Sequence, residues 1–291
     1  VSDRPLQGLG AVVVGGSRGI GAAVSALLAQ CGANVVVNGR DAAATEVTVA
    51  TINSTQAGGR AVAHAGSASD DAVAADLIDL CEKEFGAVDA LVNCAGAPEP
   101  PGSSILNVTT EEFRHLIDIH LLTTFATCRA AAPKMVARGR GAIVNTSSFA
   151  FLGDYGGTGY PAGKGGVNGL TMAIAAELAE HGVRANVVCP GAKTRLSTGP
   201  DFEEQIASLQ RRGLLDEVSA QGAVDAAPPE YVAPTYAYLV SNLASKITGQ
   251  IFIAAGNFVG RFDRPTPSFI GYREHNGTPP WSIDEIAEML A

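Results

Sequence analysis

No run of this chain stays apolar for the ~18 residues that a membrane span requires, and Val1 to Gly10 is mixed and polar, unlike a charged-then-apolar leader. A soluble, cytoplasmic protein is expected. The five cysteines, Cys31, Cys81, Cys94, Cys128 and Cys189, are odd in number, contain no C-x-x-C pair and each lie inside an apolar segment. That usage fits buried free thiols in a reducing compartment and disfavours both a disulfide framework and a zinc site. The five histidines include no H-E-x-x-H spacing, and His115 and His120 are five apart, on different faces of a helix; no metal site is expected. Basic residues are also scarce, 20 Lys and Arg against 29 Asp and Glu, for a net charge of −9. Such a balance excludes the basic face of a nucleic-acid binder but leaves room for a local phosphate pocket. Neither an internal repeat nor a low-complexity linker marks a second domain, so residues 1–291 are expected to form one.

What the chain does have is alternation. Leu9 to Val14 is a short apolar run that breaks into glycines and is followed by a helical pattern from Ala22 to Ala29. Further strands are read at 34–37, 61–64, 88–92, 142–145, 184–188 and 250–254, about seven in all, with helical patterns at 42–52, 70–85, 110–137, 160–180 and 229–243 between most of them. Parallel neighbours need crossovers, usually helical, so the pattern predicts an α/β fold, a doubly wound parallel sheet of the Rossmann kind with helices on both faces. Pro98, Pro100, Pro101 and Gly102 predict a loop after the fourth strand, and Gly153 to Gly159 another before the helix at Tyr160. Residues 192–229 interrupt the alternation after the sixth strand, where open α/β sheets bind ligands, and read as a substrate lid with a helix over 201–215. Residues 261–291, rich in proline, read as an arm that packs on its own subunit or on a partner.

Gly15-Gly16-Ser17-Arg18-Gly19-Ile20-Gly21 stands between a strand and a helix. Glycines there let backbone N–H groups and the helix N-terminus approach a pyrophosphate; the candidate cradle is Gly15, Ser17, Arg18, Gly19, Ile20 and Gly21. At the end of the second strand an acid would hold a ribose diol and repel a 2′-phosphate. The residue is Gly39, followed by Arg40, with Arg18 in the turn. Two guanidiniums without an acid at that position favour NADP(H) over NAD(H), against which Asp41 counts.

Tyr160 and Lys164 are four apart and share one helical face. A phenol with a pKa near ~10 is a weak base at neutral pH, and a nearby cation favours phenolate by ~1 to 3 pH units. Ser147 or Ser148 would hold the substrate oxygen.

Together these features resemble the short-chain dehydrogenase/reductase family over residues 8 to 260. Gly15 to Gly21 looks like its cofactor turn, Asn93-Cys94-Ala95-Gly96 like its N-N-A-G element, Ser148 with Tyr160 and Lys164 like its catalytic set, and Pro190-Gly191 like its nicotinamide-side turn. The resemblance implies hydride transfer between nicotinamide and a carbonyl or carbinol carbon. Tyr160 would move the proton, Lys164 tune Tyr160 and hold the ribose, and Asn93, Ala95, Gly96, Pro190 and Gly191 line the cofactor. It also implies a homodimer or homotetramer.

Val14, Cys94 and Ser67 stand where a threonine, an asparagine and an aspartate are usual, and His120 where a relay asparagine is. His120 either relays protons or is a packed core histidine. Counting from the fifth strand selects Ser148 and counting back from Tyr160 selects Ser147; strand register is the more rigid guide, hence Ser148. Within the family, His120, Pro190 to Leu196 and Pro229 to Pro234 look most like the hydroxyacyl-CoA dehydrogenase part of multifunctional β-oxidation enzymes, although those are expected to carry an acid at Gly39.

The expected function is therefore an NADP(H)-dependent ketoreductase or alcohol dehydrogenase for a bulky apolar small molecule, with Leu196, Phe202, Ile206, Leu209, Leu214 and Leu215 as apolar lid residues. An NAD-dependent 3-hydroxyacyl-CoA or hydroxysteroid dehydrogenase, with Lys193, Arg195, Arg211 and Arg212 near a CoA phosphate, is the second reading. A nucleotide sensor without turnover is the third.

Overall fold

A computed structural model describes residues 4–55, 58–155 and 157–291; residue 156, within the glycine-rich loop expected at 153–159, lies outside them. Eight strands of the described residues form one sheet in the order β3-β2-β1-β4-β5-β6-β7-β8. They are β1 (Gly10–Val14), β2 (Asn34–Gly39), β3 (Ala61–Ala65), β4 (Ala90–Asn93), β5 (Gly141–Thr146), β6 (Val183–Gly191), β7 (Ile251–Ala255) and β8 (Phe258–Phe262). All neighbours pair in parallel except β7 and β8. Helices α1 (Gly19–Gln30), α2 (Ala42–Ser54) and α3 (Asp71–Phe85) cross between the first four strands.

Strand β1 is buried along its whole length because helices cover both faces of the sheet, which explains its unbroken valine run. Its pleat sends Val13 into one core, with Val24 and Leu28 of α1, and Val12 and Val14 into the other, with Leu77 and Ile78 of α3. The strand order reverses between β1 and β4, so the crevice at their carboxyl ends is the place such a sheet offers a ligand.

Four segments depart from the expected boundaries. The helix expected over 110–137 is α4 (Thr110–Ile117) and α5 (Thr123–Ala137) joined by a π-helical turn at Asp118–Leu122. The Thr123 and Thr124 hydroxyls bond the Asp118 and His120 carbonyls at 3.0 and 2.7 Å across that turn. After α6 (Gly159–Leu178), the lid consists of α7 (Pro200–Arg211) and α8 (Glu217–Val224) in place of one helix to residue 215. Gly213, at φ +71°, closes α7 in a conformation that only glycine adopts freely, and Asp216 caps α8.

The helix expected over 229–243 shortens to α9 (Ala233–Val240), flanked by 3-10 turns. Strand β8, added to the expected seven, turns back at Gly256, φ +56°, and pairs antiparallel along β7. The arm therefore starts after Phe262; it ends in α10 (Ile283–Leu290) and is folded around Arg273, whose guanidinium lies 3.8 Å from the Trp281 ring and 2.5 Å from Glu285. Among the described residues no helix is long and apolar enough to cross a membrane.

Candidate active site

The glycine turn closes on itself and on the end of β4. A Cβ on Gly21 would lie 2.2 Å from the Gly15 carbonyl oxygen, and one on Gly15, at φ +73°, 2.6 Å from the Ala95 amide nitrogen. Helix α1 then starts with neither a side-chain cap at Arg18 nor an acid in its first turn. Its leading N–H groups and the positive end of its dipole are left for an anion.

At the neighbouring strand end, a Cβ on Gly39 would fall 2.6 Å from both Ser17 Oγ and Thr45 Oγ1, so an acid there requires those hydroxyls to move. Arg18 is not free: it pairs with Asp41 at 2.5 Å and holds that carboxyl below its ordinary range. Asp41 also caps α2 through the Ala44 amide. Arg40 is exposed and has no ion pair among the described residues.

Tyr160 and Lys164 meet Ser148 where β5 ends and α6 begins. The Ser148 hydroxyl accepts from the Ala150 amide at 3.2 Å and lies close enough to the Tyr160 phenol to favour its ionisation. The buried Ser147 instead donates to the Lys164 carbonyl at 3.0 Å, inside the fold. Lys164 Nζ donates to the Thr146 carbonyl at 2.9 Å and sits 5.7 Å from the Tyr160 ring centroid. Burial pushes the Lys164 pKa down to about 8, opposed by Cys94 and Cys189. The expected lowering of the phenol is not met in the protein alone: desolvation raises the Tyr160 pKa and outweighs the opposing effect of the nearby Ser148 side chain. The ammonium is directed at a backbone carbonyl, and the phenol stays protonated at neutral pH.

His120, on the π-turn, is 1% exposed and packs edge-on to Tyr160, ring centroids 4.8 Å apart at 81°. Glycines at 159, 163 and 166 make room: a Cβ at each would collide with Leu116, His120 or Leu121, so α6 lies close against α4 and the turn. His120 Nε2 bonds the Ala97 carbonyl at 3.0 Å, which requires the proton on Nε2 in the neutral ring. Its Nδ1 is buried without a partner among the described residues.

Burial, then the Lys164 charge, drive the His120 pKa down to about 2. Below the unfolded-state value near 6.5 the unfolded chain binds the extra proton, so stability falls as pH drops from there toward 2. We expect urea unfolding at pH 5 to show wild type losing ~2 kcal/mol more, relative to pH 7, than His120→Asn. Equal losses in the two proteins would contradict this.

Glu99, unremarked in the sequence, reaches the start of α6. Its Oε1 accepts from the Thr158 and Gly159 amides at 3.1 and 3.2 Å, and its Oε2 from the Tyr160 amide at 2.6 Å. Asn93 turns inward: its amide donates to Asn145 Oδ1 at 2.9 Å and its Oδ1 accepts from Thr127. That side chain ties β4 to β5 and α5, leaving only its backbone to line a crevice. Pro190 and Gly191 close β6 beside Ala254 and Ala255 of β7.

In the lid, Ile206, Leu209 and Leu215 pack with Ala220, Tyr155 and Phe202 into a small core of their own. Of the six apolar lid residues expected at the substrate, only Leu196 and Leu214 are exposed. Arg211 pairs with Glu204 at 2.7 Å, as a solvated helix charge does.

The family model for short chain dehydrogenases matches residues 10–200. Similar curated proteins include a 3alpha-hydroxysteroid dehydrogenase of Mediterraneibacter gnavus, 33% identical over 84% of this chain and 95% of its own. Others are a cyclohexanol dehydrogenase of Acinetobacter, 34% identical over 86% and 95%, and a cis-4-hydroxycyclohexanecarboxylate dehydrogenase of Sinomonas cyclohexanicum, 37% identical over 85% and 95%. Among solved structures, a short chain dehydrogenase from Mycobacterium avium superposes with a TM-score of 0.78 at 30% identity, over 98% of this chain and 95% of that one.

Proposed function

The chain belongs to the short chain dehydrogenase family, and from that premise we propose that it is an NADP(H)-dependent oxidoreductase interconverting a bulky, largely apolar ketone and its secondary alcohol. The observation that carries the reading is the convergence of Ser148, Tyr160 and Lys164 at the carboxyl end of β5, on the same end of the sheet as the glycine turn after β1.

The residues fit a nicotinamide dinucleotide. A Cβ on Gly15 or Gly21 would fill the cradle, and the uncapped N-terminus of α1 suits a pyrophosphate. Bound there, the dinucleotide supplies the hydride donor or acceptor. The protein supplies the rest: the Ser148 hydroxyl holds the substrate oxygen next to the phenol, and Tyr160 gives that oxygen its proton in reduction or removes it in oxidation. Because burial keeps the phenol protonated, the protein alone is poised as a proton donor to a ketone. Lys164 places a positive charge near the ring and stabilises phenolate once the proton has left.

Relatives named for cyclohexanols and hydroxysteroids support an alicyclic ring substrate. The groove of Ile117, Leu121, Leu122, Phe125 and Leu170 between α5 and α6 is apolar and open, which supports assembly of two or four copies.

Arg40 supports NADP(H), being an exposed guanidinium beside a strand end that carries no acid. Fluorescence titration of Arg40→Ala is expected to weaken NADPH roughly tenfold, the size of one charge-assisted hydrogen bond, and to leave NADH unchanged. The Arg18–Asp41 pair favours the second reading, since it neutralises one guanidinium and leaves a carboxylate near that strand end. Tighter NADH binding in wild type would select it, and direct the substrate search to hydroxyacyl-CoA thioesters and hydroxysteroids.

A further inference from the structure

We propose that Glu99 is a positioning residue that fixes Tyr160 by capping α6 from the loop after β4, a role that rests on the chemistry given above to Tyr160. Helix α6 has no cap of its own, since Thr158 makes no side-chain capping bond. The cap comes from 59 to 61 residues away: one carboxylate takes the amides of Thr158, Gly159 and Tyr160. The bond to Tyr160, at 2.6 Å, is the shortest of the three. Ser103 Oγ donates to Oε1 at 2.9 Å and steadies the side chain. A Cβ on Gly157, at φ +78°, would lie 2.8 Å from Glu99 Cδ, so a glycine is required for the carboxylate to come this close.

The same short segment has two other attachments. The Ala95 backbone seats against Gly15 of the glycine turn, and the Ala97 carbonyl accepts from His120. Residues 95–99 thus clip the cofactor turn, the π-turn and the helix that carries Tyr160 to one another, with Glu99 as the attachment to Tyr160. The carboxylate also offsets the positive end of the α6 dipole, which would otherwise favour phenolate one residue into the helix. Glu99 therefore sets where the phenol stands and helps to keep it protonated.

The test uses the full chain labelled with 13Cζ tyrosine, in wild type, Glu99→Gln and Glu99→Ala, with the Tyr160 signal identified by its loss in Tyr160→Phe. Glu99→Gln removes the charge and forces an amide N–H against one of the backbone donors, while its carbonyl still caps another. Its Tyr160 signal is expected to titrate ~0.5 pH unit lower than in wild type, and that of Glu99→Ala to broaden or split as the ring loses its fixed position. In a ketone reduction assay kcat should fall at least ~10-fold in both variants, while KM for the dinucleotide stays within about twofold.

A purely structural cap would lower Tm and leave the Tyr160 signal and its titration as in wild type; that result overturns the proposal, and Glu99→Gln decides it if the alanine variant does not fold. Wild type that turns over no ketone would instead refute the proposed function, and the NMR comparison would still decide the role of Glu99.

Discussion

Replacing Tyr160 by phenylalanine is expected to lower kcat for ketone reduction by ~10³-fold or more while leaving dinucleotide affinity within about twofold. The substitution removes one oxygen, the phenol that stands beside Ser148 at the end of β5. General acid catalysis is worth ~10² to 10⁴ in rate, and no neighbour can take over. His120 is neutral and has its proton committed to Ala97, and Lys164 is directed at the Thr146 carbonyl. The ring itself stays, edge-on to His120, so the variant should fold and bind like wild type. A kcat within tenfold of wild type would remove Tyr160 from the chemistry.

Lys164→Met is expected to cost ~10² to 10³-fold in kcat/KM without a loss of Tm at neutral pH. Its charge lies near a phenol that burial otherwise keeps protonated, and a cation at this range shifts a phenol by ~1 to 3 pH units. The stability side follows from the Lys164 pKa, lowered by burial from 10.5 to about 8. Between those values the unfolded chain holds the proton and the folded chain does not, so stability rises with pH across that window. At pH 7 the wild type carries the full penalty of a buried charge, which methionine relieves while leaving the Thr146 carbonyl without its donor. Calorimetry beside the kinetic assay checks both halves. A variant that loses activity and Tm together would mean that Lys164 serves mainly to hold the fold.

The sheet was legible because its signal is local: valine runs at 12–14 and 35–37 need two covered faces, and each is followed by a turn and a helix. The Tyr160–Lys164 pair was legible for the same reason, through helical spacing. The two serines, adjacent in sequence, go to different places: the Ser147 hydroxyl is buried against the Lys164 carbonyl, and that of Ser148 accepts from the Ala150 amide near the phenol.

What the residues hid was long-range. Glu99 reads as an acid in a proline-rich loop, and nothing in its neighbours tells that it caps a helix 60 residues on. The π-turn at Asp118–Leu122 leaves the apolar pattern of 110–137 intact, so it had no sequence mark. The glycines at 159, 163 and 166 did carry a signal of close helix packing, three and four apart on one face, and account for how His120 comes against Tyr160. Apolar spacing in the lid could not tell a substrate wall from a private core, and Ile206, Leu209 and Leu215 turned out to be the latter.

The most direct test is to purify the wild type and Tyr160→Phe and follow reduction of NADP and of NAD with cyclohexanol, a 3-hydroxysteroid and small polar sugars, together with the reverse reaction from the corresponding ketones. The account predicts turnover of the alicyclic compounds, faster with the phosphorylated dinucleotide, and its loss in the phenylalanine variant. Binding of dinucleotide without turnover of any alcohol or ketone, or equal rates in the two proteins, would contradict it.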